Sequence, residues 1–445
     1  MNPGAVFKAY DIRGRTDTGD LDERLYELVG SALVELLEPP RIAVGRDCRP
    51  SSPGFFDALT RGITGAGTDV VDLGEVPTDA VYYYSGAEGV PGAVITASHN
   101  PPNYNGLKLC RAGAVPIGAD TGLEFLREKV EQGALGASEP GTVTEANIVD
   151  DYVTHLLTAT RAGEIGPLQV AVDGGNGMAG IAVEEVFANI AADLEGLYLE
   201  PDGTFPNHPA DPLVPENLAH LTALVAGGGY DLGVAFDGDA DRAFFLDDEA
   251  NPISGSTVTS LIARSLLADH PGSAVVHNLI TSRAVPEIVS EAGGRPVRTR
   301  VGHSFIKQVM ADTDAVFGGE HSGHYYFRDN FRADSGMMAM LVLMRVLTES
   351  EMPMSRLRKE VERYAASGEI NFEVDDQEAS MARVAEDFSD AEIDHLDGLT
   401  VDTGDGWFNL RPSNTEPLLR LNVEAGSRER VAELVADVRQ VLESG

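Results

Sequence analysis

Residues 96–108 read TASHNPPNYNGLK and combine a serine, a histidine and a lysine with two prolines and a glycine. Because the prolines and the glycine cannot continue a helix or a central strand, we predict a loop that presents Ser98, His99 and Lys108. The G-x-S-x-G elbow of serine hydrolases is absent around Ser98. A phosphoserine that passes on its phosphoryl group beside a cation fits better, and an ordinary turn serine is the non-functional alternative.

A second polar stretch, DGDADR at 237–242, directly follows the apolar segment LGVAF. In an extended segment Asp237, Asp239 and Asp241 point the same way. Three carboxylates held together repel one another unless a cation neutralises them, and hard oxygen ligands suit Mg²⁺. The sequence therefore predicts a magnesium site beside Arg242, completed by water or a phosphate oxygen, with a solvated acidic turn as the alternative.

Further polar loops resemble sites for sugars and phosphate. GGEHSGH at 318–324 offers Glu320, Ser322 and His324 for sugar hydroxyls, and it lacks the H-E-x-x-H pattern of zinc sites. His303, after a glycine in VGHSFIK, is either a core histidine or part of the site. A dense set of donors suited to phosphate lies in RPSNTEP at 411–417: Arg411, Ser413, Asn414 and Thr415. The stretch FKAYDIRGR adds Lys8 and Arg13 as candidates for the same site, with an ordinary strand and turn at the start of a domain as the alternative.

The elements that must position these loops recur three times. RIAVG at 41–45, a helix from Ser52, the strand TDVVDLG and the segment GAVITASHN form the first copy. The same order returns from LQVAVDGGNG to YDLGVAFDGDADR and from SAVVHNLITS to DAVFGGEHSGH. Each polar loop follows a late apolar strand, so the loops are expected to converge at one cleft.

We therefore predict three related α/β domains with mixed sheets covered by helices, at residues 1–147, 148–250 and 251–365. From about residue 366 the plan changes to GEINFEV, a helix through ASMARVAEDF, short strands and a helix from Arg428. This pattern predicts a C-terminal α+β domain at 366–445, and all four domains are expected to surround one central cleft.

Composition excludes several partners. The chain has 33 basic and 71 acidic residues and a net charge of −38, which repels nucleic acid and anionic lipid. The two cysteines are too few for a disulfide framework, and the longest apolar run, MMAMLVLM at 337–344, is far shorter than a membrane span. We expect a soluble, cytoplasmic protein whose oligomeric state the sequence leaves open.

Seven motifs, in order along the whole chain, resemble the α-D-phosphohexomutases and specifically their phosphoglucomutase and phosphomannomutase members. They are YDIRG, VGRDCRPSSP, TASHNPPNYNGLK, DGDADR, VGHSFIK, GGEHSGH and RPSNTEP. The resemblance implies a reversible conversion of hexose 1-phosphate and hexose 6-phosphate, of glucose and/or mannose, with a hexose 1,6-bisphosphate as intermediate and activator. Phosphoglucosamine mutases share nearly every motif and are the main alternative. A metal-dependent phosphatase that hydrolyses its phosphoserine is a less favoured alternative, which steady release of inorganic phosphate would support. A non-catalytic sugar-phosphate binding protein is also less favoured, because Ser98 and the aspartates are present.

The same resemblance implies a role for each candidate residue. Ser98 becomes the phosphoserine, and the ligands of Mg²⁺ become Ser98, Asp237, Asp239 and Asp241. The groups around the transferring phosphoryl become Arg13, His99, Lys108 and Arg242. Glu320 and Ser322 would bind sugar hydroxyls, and the non-reacting phosphate would be held by Arg411, Ser413, Asn414 and Thr415. His303 and His324 would contact the sugar or move a proton.

The acidic composition also generates a prediction about salt. Only five lysines occur, a scarcity that resembles proteins of halophilic organisms such as halophilic archaea. In molar salt the Debye length falls to about 3 Å, so self-repulsion is screened. We expect the melting temperature to rise by several degrees between low and molar KCl, measured by scanning calorimetry. A melting temperature independent of KCl would contradict this interpretation of the acidity.

Overall fold

The computed structural model describes residues 3–133, 136, 138–412 and 418–443, which form four sheets in successive parts of the chain. We call the parts that carry these sheets domains I to IV. Among the described residues no helix combines the length and the apolar character needed to cross a membrane.

Domain I is built on a sheet with the order β1-β5-β4-β2-β3-β7, and the short β6 also pairs with β5 outside this order. Its strands are β1 (Ile12–Arg15), β2 (Arg41–Arg46), β3 (Asp69–Glu75), β4 (Gly92–Ile95), β5 (Tyr104–Arg111), β6 (Val115–Pro116) and β7 (Val143–Glu145). Its helices are α1 (Pro3–Val6), α2 (Glu23–Leu37), α3 (Ser52–Gly65), α4 (Thr78–Glu88) and α5 (Leu123–Gln132). The four inner residues of β2 are all buried, as expected for a strand covered on both faces.

Domain II has the sheet order β12-β11-β10-β8-β9. Its helices and strands are α6 (Val149–Ala159), β8 (Gln169–Asp173), α7 (Gly180–Ala188), β9 (Asp193–Leu197), α8 (Ala219–Ala226), β10 (Leu232–Phe236), β11 (Ala243–Leu246) and β12 (Pro252–Ile253). Every residue of β10 is buried, so the strand that leads into the acidic loop is held rigidly in the core.

Domain III has the sheet order β14-β13-β15-β16. Its elements are α9 (Gly255–Asp269), β13 (Ala274–Asn278), α10 (Ala284–Glu291), β14 (Arg295–Thr299), α11 (His303–Thr313), β15 (Phe317–Gly319), β16 (Tyr325–Phe327), α12 (Gly336–Ser350) and α13 (Met354–Leu357). The apolar run at 337–344 lies within α12, where all eight of its residues are buried in the core shared by domains I to III.

Domain IV is a separate α+β unit with the sheet order β17-β21-β20-β19-β18 and its own apolar core. Its elements are β17 (Ala365–Glu373), α14 (Gln377–Asp387), β18 (Glu392–Asp394), β19 (Leu399–Asp402), β20 (Gly406–Pro412), β21 (Leu418–Ala425) and α15 (Arg428–Glu443). All its strand pairs are antiparallel, which distinguishes it from the other three domains.

The predicted repeat of the first three domains is confirmed. In each sheet a central strand (β2, β8 or β13) pairs in parallel with two neighbours, and the later neighbour (β4, β10 or β15) leads into a loop. The chain then returns antiparallel as β5, β11 or β16. The three polar loops at 96–103, 237–242 and 320–324 therefore occupy equivalent places.

Close packing of α2 against α3 gives a test of the fold. A Cβ atom built on Gly62 of α3 would lie 2.0 Å from the backbone oxygen of Glu27 in α2, whereas one built on Gly65 meets nothing within 4 Å. Gly62→Ala is expected to destabilise the protein by about 1–3 kcal/mol, because the helix backbones must separate. Gly65→Ala is the matched control, and we expect it to be neutral or stabilising by up to about 1 kcal/mol. Equal melting temperatures for the two variants would show that the helices do not pack this closely.

Candidate active site

Ser98 lies where the loop after β4 meets the acidic loop of domain II. Its backbone has a φ of 50°, which is uncommon outside glycine. Its Oγ donates a hydrogen bond to Asp237 Oδ2 (2.7 Å) and lies 3.5 Å from the Arg242 guanidinium. A Cβ atom on Gly238 would lie 2.5 Å from the Ser98 carbonyl oxygen, so the close approach of the two loops requires glycine there.

The serine loop is held by Arg49, a fully buried residue of the motif VGRDCRPSSP. Its guanidinium donates to the carbonyl oxygens of Ser98 (2.8 Å), Asn100 (2.6 Å), Pro101 (2.6 Å) and Tyr104 (3.2 Å). Its Nε donates to Asp47 Oδ2 at 2.9 Å. One rigid fork therefore binds four carbonyl oxygens in and beside the serine loop and fixes the position of Ser98.

Three buried carboxylates face the serine. Asp237, Asp239 and Asp241 are each at most 2% exposed, and one oxygen of each lies within 4.8 Å of the others. Lys108 Nζ donates to Asp239 Oδ2 at 2.7 Å and also to Asp241 Oδ2. Burial opposes the charged form of Lys108, but the two carboxylates raise its pKa well above the ordinary lysine value. Burial raises the pKa of Asp237, and this effect outweighs the opposing influence of Arg242.

These carboxylates fit a metal ion. Oδ1 of Asp239 and Oδ1 of Asp241 are buried and find no hydrogen-bond partner in the part of the chain that the structure describes. Buried oxygens left unpaired are costly, and a hard divalent cation is the partner that oxygen-only donors prefer. A second group of possible ligands shares Asp241 and adds His324 and Asp334, but the Lys307 ammonium already lies 2.7 Å from Asp334.

Cationic and neutral donors surround the serine on its other sides. Arg242 Nε donates to Asp237 Oδ2 at 2.8 Å, and Arg13 of β1 donates to Asn100 Oδ1 (2.7 Å) and to the Ala97 carbonyl (3.0 Å). His99 Nδ1 lies 3.4 Å from Ser98 Oγ. Burial lowers the pKa of His99 to about 2, and Arg242 and Arg13 contribute, so its imidazole is neutral at physiological pH. All the predicted phosphoryl-site residues are thus brought together.

The loop between β15 and β16 meets the acidic loop through His324. His324 Nε2 lies 3.9 Å from Asp241 and 3.8 Å from Asp334, and its Nδ1 lies 3.2 Å from Ser322 Oγ. Glu320 is 2% exposed and accepts hydrogen bonds from the Tyr326 hydroxyl (2.5 Å) and the Asn278 amide (3.1 Å). This glutamate is therefore held in place by its own domain, next to the cleft.

Tyr10 of domain I contacts domain III, and no sequence pattern predicts this contact. Its hydroxyl donates to the Val301 carbonyl at 3.3 Å. Burial raises its pKa, Asp397 and Glu320 raise it further, and Arg300 and Arg411 oppose them, so Tyr10 lies within electrostatic reach of Glu320 and Arg411. Arg411 is the penultimate residue of β20, and its Nε is buried with no hydrogen-bond partner within the described residues.

Some predicted residues are not placed in the site. Ser413, Asn414 and Thr415 lie outside the described residues, and so does the side chain of His303, whose backbone begins α11. Lys8 is exposed, and its Nζ donates to the Ala5 carbonyl, so the described contacts do not bring it to the serine. Tyr10 and Arg49 were visible inside recognised motifs, but nothing in the sequence distinguished them from turn or core residues.

Models of the phosphoglucomutase/phosphomannomutase domains match the chain in order. The three alpha/beta/alpha models match residues 4–134 (domain I), 150–250 (domain II) and 254–364 (domain III), and the C-terminal model matches 369–441. Together these matches cover nearly the whole chain.

Individual proteins show the same similarity. The chain is 41% identical to "Phosphohexose mutases" of Xanthomonas campestris pv. campestris, over 94% of both chains. It is 38% identical to a phosphomannomutase of Salmonella montevideo, over 100% of this chain and 99% of that one. A crystal structure of a phosphoglucomutase/phosphomannomutase family protein from Burkholderia thailandensis superposes with a TM-score of 0.90 at 31% identity, over 99% and 97% of the chains. Aspergillus fumigatus N-acetylphosphoglucosamine mutase, in complex with GlcNAc-6P and magnesium, shares the fold with a TM-score of 0.63 at 14% identity, over 99% and 96%.

The hydrogen bonds that Arg49 donates to the serine loop, which we call the clasp, lead to a prediction that can be tested without substrate. Lysine has one ammonium group and cannot satisfy four carbonyls and a carboxylate in a plane, so Arg49→Lys should loosen the serine loop. Because hydrogen bonds from charged donors contribute roughly 1.5–3 kcal/mol each, we expect amide hydrogen exchange in 96–104 to accelerate about tenfold or more. Arg61→Lys, at an exposed pair with Glu23, is the control and should leave this exchange unchanged. Equal exchange in both variants would contradict the clasp.

Proposed function

The chain belongs to the phosphoglucomutase/phosphomannomutase family and is a hexose-phosphate mutase, and we propose that it interconverts the 1- and 6-phosphates of glucose and/or mannose through a phosphoserine at Ser98. The alternative is a phosphoglucosamine mutase, which would act on glucosamine phosphates instead. Similarity to phosphomannomutases favours glucose and mannose phosphates over glucosamine phosphate as substrates.

One observation carries the proposal. Ser98 Oγ lies 2.7 Å from a carboxylate of a three-aspartate cluster and is within reach of Arg242 and His99, with Lys108 bound to the same cluster. Phosphoryl transfer requires mainly alignment and neutralisation of charge, and this arrangement supplies both. Inert turn serines have no such surroundings.

In the proposed transfer, each phosphorus–oxygen bond that breaks is replaced by a new one. The bond between phosphorus and Ser98 Oγ breaks as a substrate hydroxyl forms its own bond to phosphorus, and the hydroxyl proton passes to a base. Among the described side chains His324, near both Asp241 and Ser322, is the candidate for that base. Arg13, Lys108 and Arg242 would hold the phosphoryl oxygens. The leaving Ser98 oxygen takes up a proton by exchange with solvent. In the second half the serine takes the other phosphoryl from the hexose 1,6-bisphosphate and releases its own proton, while the base returns a proton to the freed sugar oxygen.

We assign the metal as Mg²⁺, held by Asp237, Asp239, Asp241 and an oxygen on Ser98. Carboxylate oxygens without nitrogen or sulfur ligands suit this ion, which would neutralise charge on the transferring group. The magnesium and GlcNAc-6P bound to the Aspergillus fumigatus enzyme support a metal and a sugar phosphate in this fold. Glu320 and Ser322 would bind sugar hydroxyls, with His303 beside them, and Arg411, Ser413, Asn414 and Thr415 would hold the phosphate that is not reacting.

Several finer statements belong to the same proposal. We place the domain boundaries at 147/148, 250/251 and 365/366. The first lies between β7 and α6, the second lies just before β12, which still pairs in the domain II sheet, and the third falls inside β17 after its first residue. A cytoplasmic location and an origin in a salt-adapted organism would agree with the free cysteines and the charge of −38. Nucleic acid and membrane are not expected partners of so acidic a surface.

A product assay separates the mutase from its alternatives. Glucose 1-phosphate, mannose 1-phosphate and glucosamine 1-phosphate are each supplied with Mg²⁺ and a trace of the matching 1,6-bisphosphate, and 6-phosphate and inorganic phosphate are both measured. We expect 6-phosphate from the glucose or mannose compound, without net release of inorganic phosphate. Ser98→Ala should abolish this turnover, whereas Ser290→Ala, which alters an exposed serine of α10, should not.

Preferred turnover of the glucosamine compound would change the substrate assignment to a phosphoglucosamine mutase. Steady release of inorganic phosphate would replace the mutase by a phosphatase. Unchanged turnover in Ser98→Ala would exclude the phosphoserine.

A further inference from the structure

The first turn of α4 in domain I reaches the acidic loop of domain II. Thr78, the first residue of α4, is fully buried. Its N–H donates to the backbone carbonyl of Asp239 at 3.0 Å, and its hydroxyl donates to Asp239 Oδ2 at 2.6 Å. The N–H of a first helical residue has no partner within its own helix, so this helix end finds one in another domain.

Asp239 is thereby held asymmetrically. Its Oδ2 accepts hydrogen bonds from both Thr78 and Lys108, the latter at 2.7 Å. Its Oδ1 is buried and has no hydrogen-bond partner within the described ranges. Two donors on one oxygen fix the rotation of the carboxylate and leave the lone pairs of the other oxygen available.

The helix end that provides Thr78 is itself fixed. The neighbouring Asp79, 0% exposed, accepts a hydrogen bond from Ser335 Oγ of domain III at 2.5 Å. The same Ser335 oxygen caps α12 by accepting from the Met338 N–H at 3.1 Å. Thr78 is thus anchored between domains I and III before it contacts domain II, which is what a group that orients another side chain requires.

We propose that Thr78 is a positioning residue that turns Asp239 so that its free oxygen faces the cation, and that it thereby sets metal affinity. The Thr78 hydroxyl does not touch the reacting atoms. When this hydroxyl is removed, Lys108 still donates to Asp239 Oδ2. This inference rests on the proposed function, because that function assigns Asp239 to the metal. Mutation of a residue that orients a metal ligand in this way typically lowers metal affinity about 10- to 100-fold.

The test is a titration of the whole chain with Mg²⁺ alone, in which isothermal titration calorimetry measures the affinity. Thr78→Val removes the hydroxyl and keeps the shape, and Thr78→Ala is a second hydroxyl-free variant in case valine packs poorly. We expect both to bind Mg²⁺ about 10- to 100-fold more weakly, and Thr78→Ser to recover most of the affinity. Thr160→Val is the matched control, because it also removes a buried hydroxyl. The Thr160 hydroxyl donates to the carbonyl of Leu156 in α6 at 2.7 Å, and we expect this variant to bind Mg²⁺ normally.

A second readout separates positioning from general stability. Excess Mg²⁺ should restore turnover in Thr78→Val, whereas a merely loosened fold would lower turnover at every Mg²⁺ concentration. Normal Mg²⁺ affinity in both hydroxyl-free variants would overturn the inference and leave the proposed mutase intact. A failure of the unaltered chain to bind Mg²⁺ would overturn the assigned metal, and the inference with it.

Discussion

The arrangement of the site depends on the repulsion among three buried carboxylates. Asp237, Asp239 and Asp241 are almost inaccessible to water, and in a low-dielectric environment like charges at this separation are strongly unfavourable. Lys108 comes from domain I and Arg242 from the acidic loop itself, and together they contact all three. Domains I and II must therefore meet for the loop to remain charged. The site is in this sense a product of the domain interface.

The repeated topology explains how that meeting is possible. In each of domains I to III the polar loop follows the outer parallel strand of the central trio, at the carboxyl end where side chains of adjacent strands leave the sheet. The strands entering the loops, β4 and β10, are buried along their whole length, so each loop starts from a fixed point. Contacts of 2.7 Å between residues 139 positions apart then follow from the packing of three similar sheets on one shared core.

The fold could be predicted, and most residues of the candidate site could be proposed, because their sequence signals are local. Apolar strand segments, the prolines beside Ser98 and the alternating aspartates are each contained within about a dozen residues. The contacts of Arg49, Tyr10 and Thr78 could not be predicted, because their partners lie elsewhere in the chain. Thr78 and Asp239 are separated by 161 positions, and a threonine at a helix start normally indicates no more than a helix end. Lys8 shows the opposite case, in which a scarce residue type beside a motif lies on the surface.

Charge balance inside the cleft links the carboxylates to the chemistry. The three aspartates contact two cationic side chains, Lys108 and Arg242. Arg13 lies beside the serine loop but pairs with Asp11, and His99 adds no charge because burial lowers its pKa to about 2. A phosphoryl group on Ser98 would add about −1.5 to −2 to this nearly neutral set. A divalent cation at the unpaired oxygens of Asp239 and Asp241 would restore the balance, so modification of the serine and occupation of the metal site should favour one another. The net charge of −38 would therefore not prevent anion binding at this site, where the local balance is set by these few groups.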